Sequence, residues 1–355
     1  MYKVELHTSI AAVRAEWEEL VAAAGAAAFY RVPFLTAYEV APMLPVTDRC
    51  YILVRDERGR LRAGLPVYLQ SDIDPLGILS ARYPLGDRPA GLLSHVWHCY
   101  DAGLVAPGAD DRPDPELIAA VLEAMRGLAR DAGAGWYGFV NLDAASPLVT
   151  ALAAAGLRVA EIDERFRVDV AGLAGQEGYL ARLSSHRRRE VRRYGRRAKE
   201  AGVWARIADP RDADLDGLHA IVRRMAAKFD NSRFYPPGTF QTFMRELGPI
   251  ARVVEIRMRD RLIAGGVCLQ DDRRFHLWTG GVDYSAAKGF SPYNVMFFAM
   301  VRAALRSGRP VLEGGRRNAG FKGPHGLNRV PLVACLAPVT QPIEATVKEG
   351  GELST

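Results

Sequence analysis

Two short hairpin signatures constrain this chain more than any other feature. Asp56-Glu-Arg-Gly-Arg60 parts the runs Cys50–Arg55 and Leu61–Gln70, and Arg259-Asp-Arg261 parts Ile250–Met258 and Leu262–Gln270. What surrounds each hairpin follows the same order. In the first half a strand over Tyr2–Leu6 precedes an Ala-rich helix capped by Thr8 or Ser9. A second helix starts at Pro33. After the hairpin come a Gly- and Pro-rich stretch from Pro75 to Gly91 and a strand near Val96–Tyr100. A helix from Pro115 to about Ala132, a strand over Trp136–Val140 and a helix from Ser146 to Gly156 follow. Leu157–Ile162 and Phe166–Val170 read as two strands.

The second half runs through a helix over Gln176–Leu183, a basic helix, a strand over Val203–Ile207, and helices over Ala213–Phe229 and Gly238–Leu247. Then come the hairpin, a strand from Arg274 to Thr279, a helix opened by Pro292, a strand over Pro310–Glu313, a loop over Gly314–Asn328 and a strand over Val330–Leu336. A meander of antiparallel strands followed by a crossover helix predicts an α+β fold with a mixed sheet, built twice. The chain has 355 residues, enough for two cores. The division falls at 1–165 and 166–340, with 341–355 as a tail.

The basic helix is His186–Gly202, in which eight of the thirteen residues from Arg187 to Lys199 are Arg or Lys. Ser184 and Ser185 supply N-cap oxygens, and Gly202 closes the helix. Val191, Tyr194, Ala198 and Ala201 make one thin apolar stripe. The other faces carry Arg187, Arg188, Arg192, Arg196 and Lys199, whose mutual repulsion calls for an anionic partner or for scattered acidic neighbours. The net charge of +6 is small for the whole chain, so the anion-binding surface is local.

Other classes fit poorly. Cys50, Cys99, Cys268 and Cys335 form no CxxC pair and read as reduced core residues of a cytoplasmic protein. No apolar run approaches the ~20 residues that cross a bilayer, and no secretory h-region follows Met1. His95, His98, Cys99 and Asp101 cannot all point to one metal from a single strand, so no metal site is expected. No GxSxG motif or elbow-like cysteine offers a nucleophile.

Four segments of the second half resemble the Fem-type (FemABX) aminoacyltransferases and their GNAT-like acyltransferase relatives. These are Phe166–Val170 leading into Ser185–Arg193, the hairpin strand with Leu262-Ile-Ala-Gly-Gly266, Lys288-Gly-Phe-Ser-Pro-Tyr293, and Glu313-Gly-Gly315 with Gly320-Phe-Lys-Gly-Pro-His-Gly326. The first half is similar mainly through Phe29–Phe34. The resemblance implies two tandem GNAT-like domains, each a mixed, mostly antiparallel sheet flanked by helices. It also implies an enzyme that forms amides from an activated acyl group without a covalent enzyme intermediate. The acyl carrier would be aminoacyl-tRNA as co-substrate, or acyl-CoA in the GNAT alternative, with no tightly bound cofactor. The long helical-hairpin insertion of cell-wall Fem enzymes is missing, which fits a small-molecule or peptide amine acceptor. A catalytically idle RNA-binding protein is the remaining alternative.

Aminolysis needs proximity, a proton acceptor and oxyanion stabilisation. The resemblance places a Fem-type lysine at Lys322, where glycines 320, 323 and 326 let backbone approach a ligand and the ammonium offers a point charge. Glu313 is the candidate base or amine-orienting carboxylate; it can equally be a structural acid paired with Arg316 or a backbone donor. Tyr235, Tyr284 and Tyr293 are further candidates. On the donor side stand Arg187, Arg188, Arg192, Arg196, Lys288, Gly289 and Arg316. In GNAT proteins the strand-to-helix junction before Pro292 grips pyrophosphate. Here Ala287–Ser291 replaces the usual Gln/Arg-x-x-Gly-x-Gly/Ala pattern. Tyr30, Arg31, Lys228, Arg233, Tyr235 and Trp278 would border the acceptor. The oligomeric state is not legible.

Overall fold

The computed structural model describes residues 2–86, 89–108, 113–286 and 289–340. In chain order the strands and longer helices are β1 (Lys3–His7), α1 (Arg14–Ala24), α2 (Val32–Val40), β2 (Asp48–Arg55), β3 (Leu61–Gln70), β4 (Gly91–Ser94), α3 (Pro115–Asp131), β5 (Trp136–Asp143), α4 (Pro147–Ala154) and β6 (Arg158–Asp169). They continue with α5 (Gly175–Ala181), α6 (Ser185–Glu200), β7 (Val203–Ala208), α7 (Leu215–Ala227), α8 (Thr239–Glu246), β8 (Ala251–Met258), β9 (Arg261–Gln270), β10 (Arg274–Val282), α9 (Pro292–Arg306), β11 (Val311–Arg316), the turn α10 (Ala319–Lys322) and β12 (Asn328–Pro338). The fold is α+β, with mixed sheets flanked by helices.

The chain forms two compact units, and neither is contiguous in sequence. The first holds residues up to Ala24, Val46–Ile162 and the chain from Leu332; the second holds Gly25–Pro45 and Asp163–Pro331. In the first unit β1, β2, β3 and β4 pair antiparallel, β4 and β5 pair parallel, and β12 returns to pair antiparallel with β5. In the second β7, β8, β9 and β10 pair antiparallel, β10 and β11 pair parallel, and β6 lies antiparallel to β11. Each unit therefore places one parallel pair beside a meander, joined by a crossover helix: α3 in the first, α9 in the second.

The cores explain the elements. On α3, Leu117, Val121, Leu122, Met125 and Ala129 form one buried stripe, over strands rich in Ile52, Leu65 and Phe139. In the second unit α9 is buried on most sides and packs Phe297, Phe298 and Val301 with Val254, Ile263 and Cys268. A second aromatic layer brings Phe34 of α2 edge-on to Phe243 of α8 (5.5 Å) and Trp278 of β10 (6.4 Å). The four cysteines are free and buried. No helix among the described residues is long and apolar enough to cross a membrane.

Three sequence expectations change. Leu157–Ile162 and Phe166–Val170 belong to one strand, β6. The strand near Val96–Tyr100 is Gly91–Ser94 instead, and residues 95–100 form a buried turn in which Trp97 Nε1 donates to Ile73 O (3.0 Å). Ala201 is exposed as the C-cap of α6, so the apolar stripe ends at Ala198. The tail 341–355 lies outside the described residues.

Candidate active site

In the second unit the parallel pair β10–β11 holds together only at Arg274–Val311, Phe275–Leu312 and His276–Glu313. Beyond these residues both strands turn irregular. β10 slips against β9 between Leu277 and Thr279, and β11 slips against β6 between Glu313 and Arg316. Bulges of this kind re-aim strands near functional sites. The strands part, and a cavity of about 160 Å³ opens between them. Trp278, Thr279 and Gly280 line one side, Gly314–Arg316 the other, and Tyr293, Met296, Phe297 and Met300 of α9 the floor. At Gly314 a Cβ would come within 2.2 Å of Leu327 Cδ2 and 3.2 Å of Phe166 O, so a larger residue requires the buried Leu327 side chain to move.

The first unit treats its parallel pair differently. β4 stays paired with β5 along its whole length, and the chain leaving it, His95–Tyr100, buries itself at that end of the sheet. Asn141 Nδ2 donates to Cys99 O (2.7 Å) and ties the turn to β5.

Lys322 enters the cavity from α10. Arg317 (φ 57°) and Asn318 (φ 65°) both take the left-handed conformation, which reverses the chain sharply after β11. Such backbone costs on the order of 1–3 kcal/mol per residue and persists where surrounding contacts enforce it. Arg317 pairs with Asp163 (3.2 Å), and Asn318 donates to the Tyr293 hydroxyl (3.0 Å). The reversal brings Lys322 Nζ back to donate to the carbonyls of Gly315 (3.0 Å) and Arg316 (2.6 Å). The side chain is 5% exposed, with its ammonium over the Phe166 ring. Burial pulls its pKa down to about 7; Asp163 and Glu164 resist the shift and Arg316 adds to it. Lys322 thus lies at the edge of an open cavity, poised between amine and ammonium near neutral pH.

The other expected residues scatter more. Arg316 lines the cavity, half-buried. Glu313 is not among the lining residues: it is 1% exposed, inside β11, with Oε1 3.5 Å from Nη1 of the equally buried Arg165. Arg165 of β6 is therefore an ion-pair partner of Glu313. Trp278 lines the cavity, and Tyr235 reaches it indirectly, its hydroxyl 2.9 Å from Oγ1 of the lining Thr279. Tyr30 is 2% exposed and belongs to the core. Arg31 pairs with Asp272 (3.1 Å), Lys228 rests over the Tyr284 ring, and Arg233 is exposed. Gly289 is exposed, and its carbonyl accepts from Arg197 (2.9 Å). Lys288 lies outside the described residues. Gly320 and Gly323 face open space, and Gly280, Gly314 and Gly315 line the cavity.

On α6, Arg187 pairs with Glu190 (2.7 Å), Arg192 with Glu177 (2.5 Å) and Arg196 with Glu200 (3.8 Å). Among the described residues Arg188, Arg189, Arg193 and Lys199 have no carboxylate within ion-pair distance. Surface pairs of this kind contribute about 0–1 kcal/mol, so a phosphate can replace the carboxylate at small cost. Among the described residues no three His, Cys, Asp or Glu side chains cluster to hold a metal ion.

Residues 185–323 match the family described as acetyltransferase (GNAT) domain. No protein of curated function matches the chain in sequence. Among solved structures, FemX superposes with a TM-score of 0.63 at 10% identity, covering 89% of this chain and 95% of FemX. A tandem GNAT protein from the clavulanic acid biosynthesis pathway gives 0.57 at 13% identity, covering 96% and 99%. L-PGS from Bacillus licheniformis gives 0.53 at 12%, covering 84% and 89%. These likenesses show a shared fold, that of two GNAT-like domains in tandem. With the family match over residues 185–323, they support an acyltransferase whose second half carries a GNAT domain.

Proposed function

We propose that this GNAT-type acyltransferase moves an aminoacyl group from aminoacyl-tRNA to the amine of a small molecule or peptide, with Lys322 as the proton acceptor. The observation that carries the reading is the state of Lys322. Two N–H bonds are committed to the Gly315 and Arg316 carbonyls, which leaves a lone pair in the neutral form that burial favours. The acceptor nitrogen attacks the ester carbonyl carbon, and a C–N bond forms. Its proton passes to Lys322 Nζ and from there to the ribose oxygen as the C–O bond breaks. A pKa near the working pH suits both transfers. Arg316 supplies positive charge beside the developing oxyanion.

The carrier is inferred from α6. Its open cations, Arg188 and Arg189 among them, suit a phosphate backbone better than the few phosphates of coenzyme A. The resemblance to Fem-type aminoacyltransferases and the fold shared with FemX support this choice. The second reading, an acyl-CoA donor, is favoured by the family match to acetyltransferases and by the tandem GNAT protein, whose structure is described as determined without AcCoA.

Charged tRNA and acyl-CoA, each incubated with the protein and a panel of amines, separate the two. Acceptor-dependent release of deacylated tRNA supports the first reading, and consumption of thioester the second. Charge reversal at Arg188 and Arg192 is expected to weaken tRNA binding and to lower the slope of log affinity against log salt by about 1–2. An unchanged slope removes α6 from the RNA path.

A further inference from the structure

The two faces of α9 look onto different spaces. Tyr293, Met296, Phe297 and Met300 floor the acyl-transfer cavity. Asn294, Val295, Phe298 and Arg302, on the opposite face, wall a second cleft of about 150 Å³ between α6, β7 and α9. Three features of this cleft point to a ligand. Its lining holds two cations, Lys199 and Arg302, and no carboxylate. Burial lowers the pKa of Arg302, with Arg306 adding to the effect, and the one hydrogen-bond partner described for its guanidinium is the neutral Gln176 Oε1 (3.2 Å). Desolvated guanidinium of this kind is an anion site.

The second feature is aromatic. Trp204 stands on β7, the last strand of its sheet, and is 46% exposed although its indole N–H is already used by Arg259 O (3.2 Å). The third is Gly195, in the middle of α6. Glycine there costs the helix up to about 1 kcal/mol relative to alanine. Its backbone is ordinary right-handed helix, and a Cβ at this position would meet nothing within 4 Å. Neither backbone geometry nor neighbouring protein requires glycine. The space it leaves open is the cleft.

We propose that this cleft binds a nucleotide, with the phosphate on Arg302 and Lys199 and the base against Trp204 over the floor of Val191, Ala198 and Phe298. The nucleotide is either free or part of an RNA strand, and the site does not depend on which acyl carrier the first cavity uses.

Calorimetric titration tests this with adenosine 5′-monophosphate, adenosine, inorganic phosphate and a short single-stranded RNA. AMP is expected to bind saturably and more tightly than adenosine or phosphate alone. Gly195→Leu, which fills the cleft, should weaken AMP at least about tenfold, the scale of one lost base stack. Lys322→Met should leave AMP affinity unchanged. Loss of RNA affinity alongside AMP in Gly195→Leu identifies a strand as the source, and loss of AMP affinity alone identifies a free nucleotide. Trp204→Ala, on an exposed edge, repeats the test should Gly195→Leu fold poorly. Phosphate binding as tightly as AMP, equal affinities in wild type and both variants, or no saturable binding overturns the proposal.

Discussion

Lys322→Met is expected to lower kcat by about 10²–10⁴, the usual contribution of a positioned proton acceptor, while the melting temperature at pH 7 moves little. Two opposing terms produce the second half of that result. Methionine relieves the cost of burying an ammonium, on the order of a few kcal/mol for a pKa pulled from the ordinary lysine value to about 7. It also strips the Gly315 and Arg316 carbonyls of their donor, at about 1–3 kcal/mol for each group left buried and unpaired. The pH dependence carries a sign. Between about 7 and the ordinary lysine range, the unfolded chain holds a proton that the folded chain has released. Wild-type stability therefore rises with pH across that window, and the rise is absent in Lys322→Met. Activity should climb through pH ~7 to a plateau if the neutral amine takes the proton. A profile that falls through the same pH would make the ammonium the active form and turn Lys322 into an oxyanion holder. Unchanged kcat in the methionine variant would remove Lys322 from the chemistry.

Glu313→Ala is expected to cost about 3–5 kcal/mol of stability, the penalty for leaving the partner of a buried ion pair uncompensated. Arg165 and Glu313 are 3% and 1% exposed, on neighbouring strands β6 and β11. Glu313 also lies opposite His276, whose Nε2 is 2.9 Å from the buried Asp271 carboxylate. A charge removed here disturbs a polar seam at the point where the parallel strands are about to part. Denaturant unfolding reads the loss. Glu313→Gln, which keeps the shape, should lose less stability and retain kcat per folded molecule. If it instead keeps stability and loses activity a hundredfold or more, Glu313 is the base after all.

The helix that carries the cations was legible because its signals are local. Ser184 caps it by accepting from Arg187 N, Gly202 closes it at φ +76°, and Val191 and Ala198 bury the stripe. Lys322 stood out through its glycines, yet what makes it special is not local. Its reach to the cavity depends on Arg317 and Asn318 in left-handed backbone, enforced by Asp163 and Tyr293 from distant parts of the chain. β6 read as two strands because Asp163-Glu-Arg165 looks like a turn. In the fold all three charges are paired across it, with Arg317, Arg329 and Glu313. Residues 95–100 misled in the other direction. Their apolar character correctly reports burial, but burial does not distinguish a strand from a packed turn. The cavity itself was out of reach, since nothing in either strand's composition marks the residue at which parallel pairing stops.

The assignment of Gly25–Pro45 to the second unit bears on how the protein can be made and divided. On the ribosome, Phe29 and Phe34 emerge long before His276, Phe243 and Trp278, against which they finally pack. The C-terminal strand β12, almost the last described segment to be synthesised, is what completes the pairing of β5. Neither unit can mature while the other half is still being translated. A fragment beginning at Phe166 would lack the aromatic cover over Trp278, so cutting the gene at its apparent midpoint should give insoluble halves rather than two working proteins.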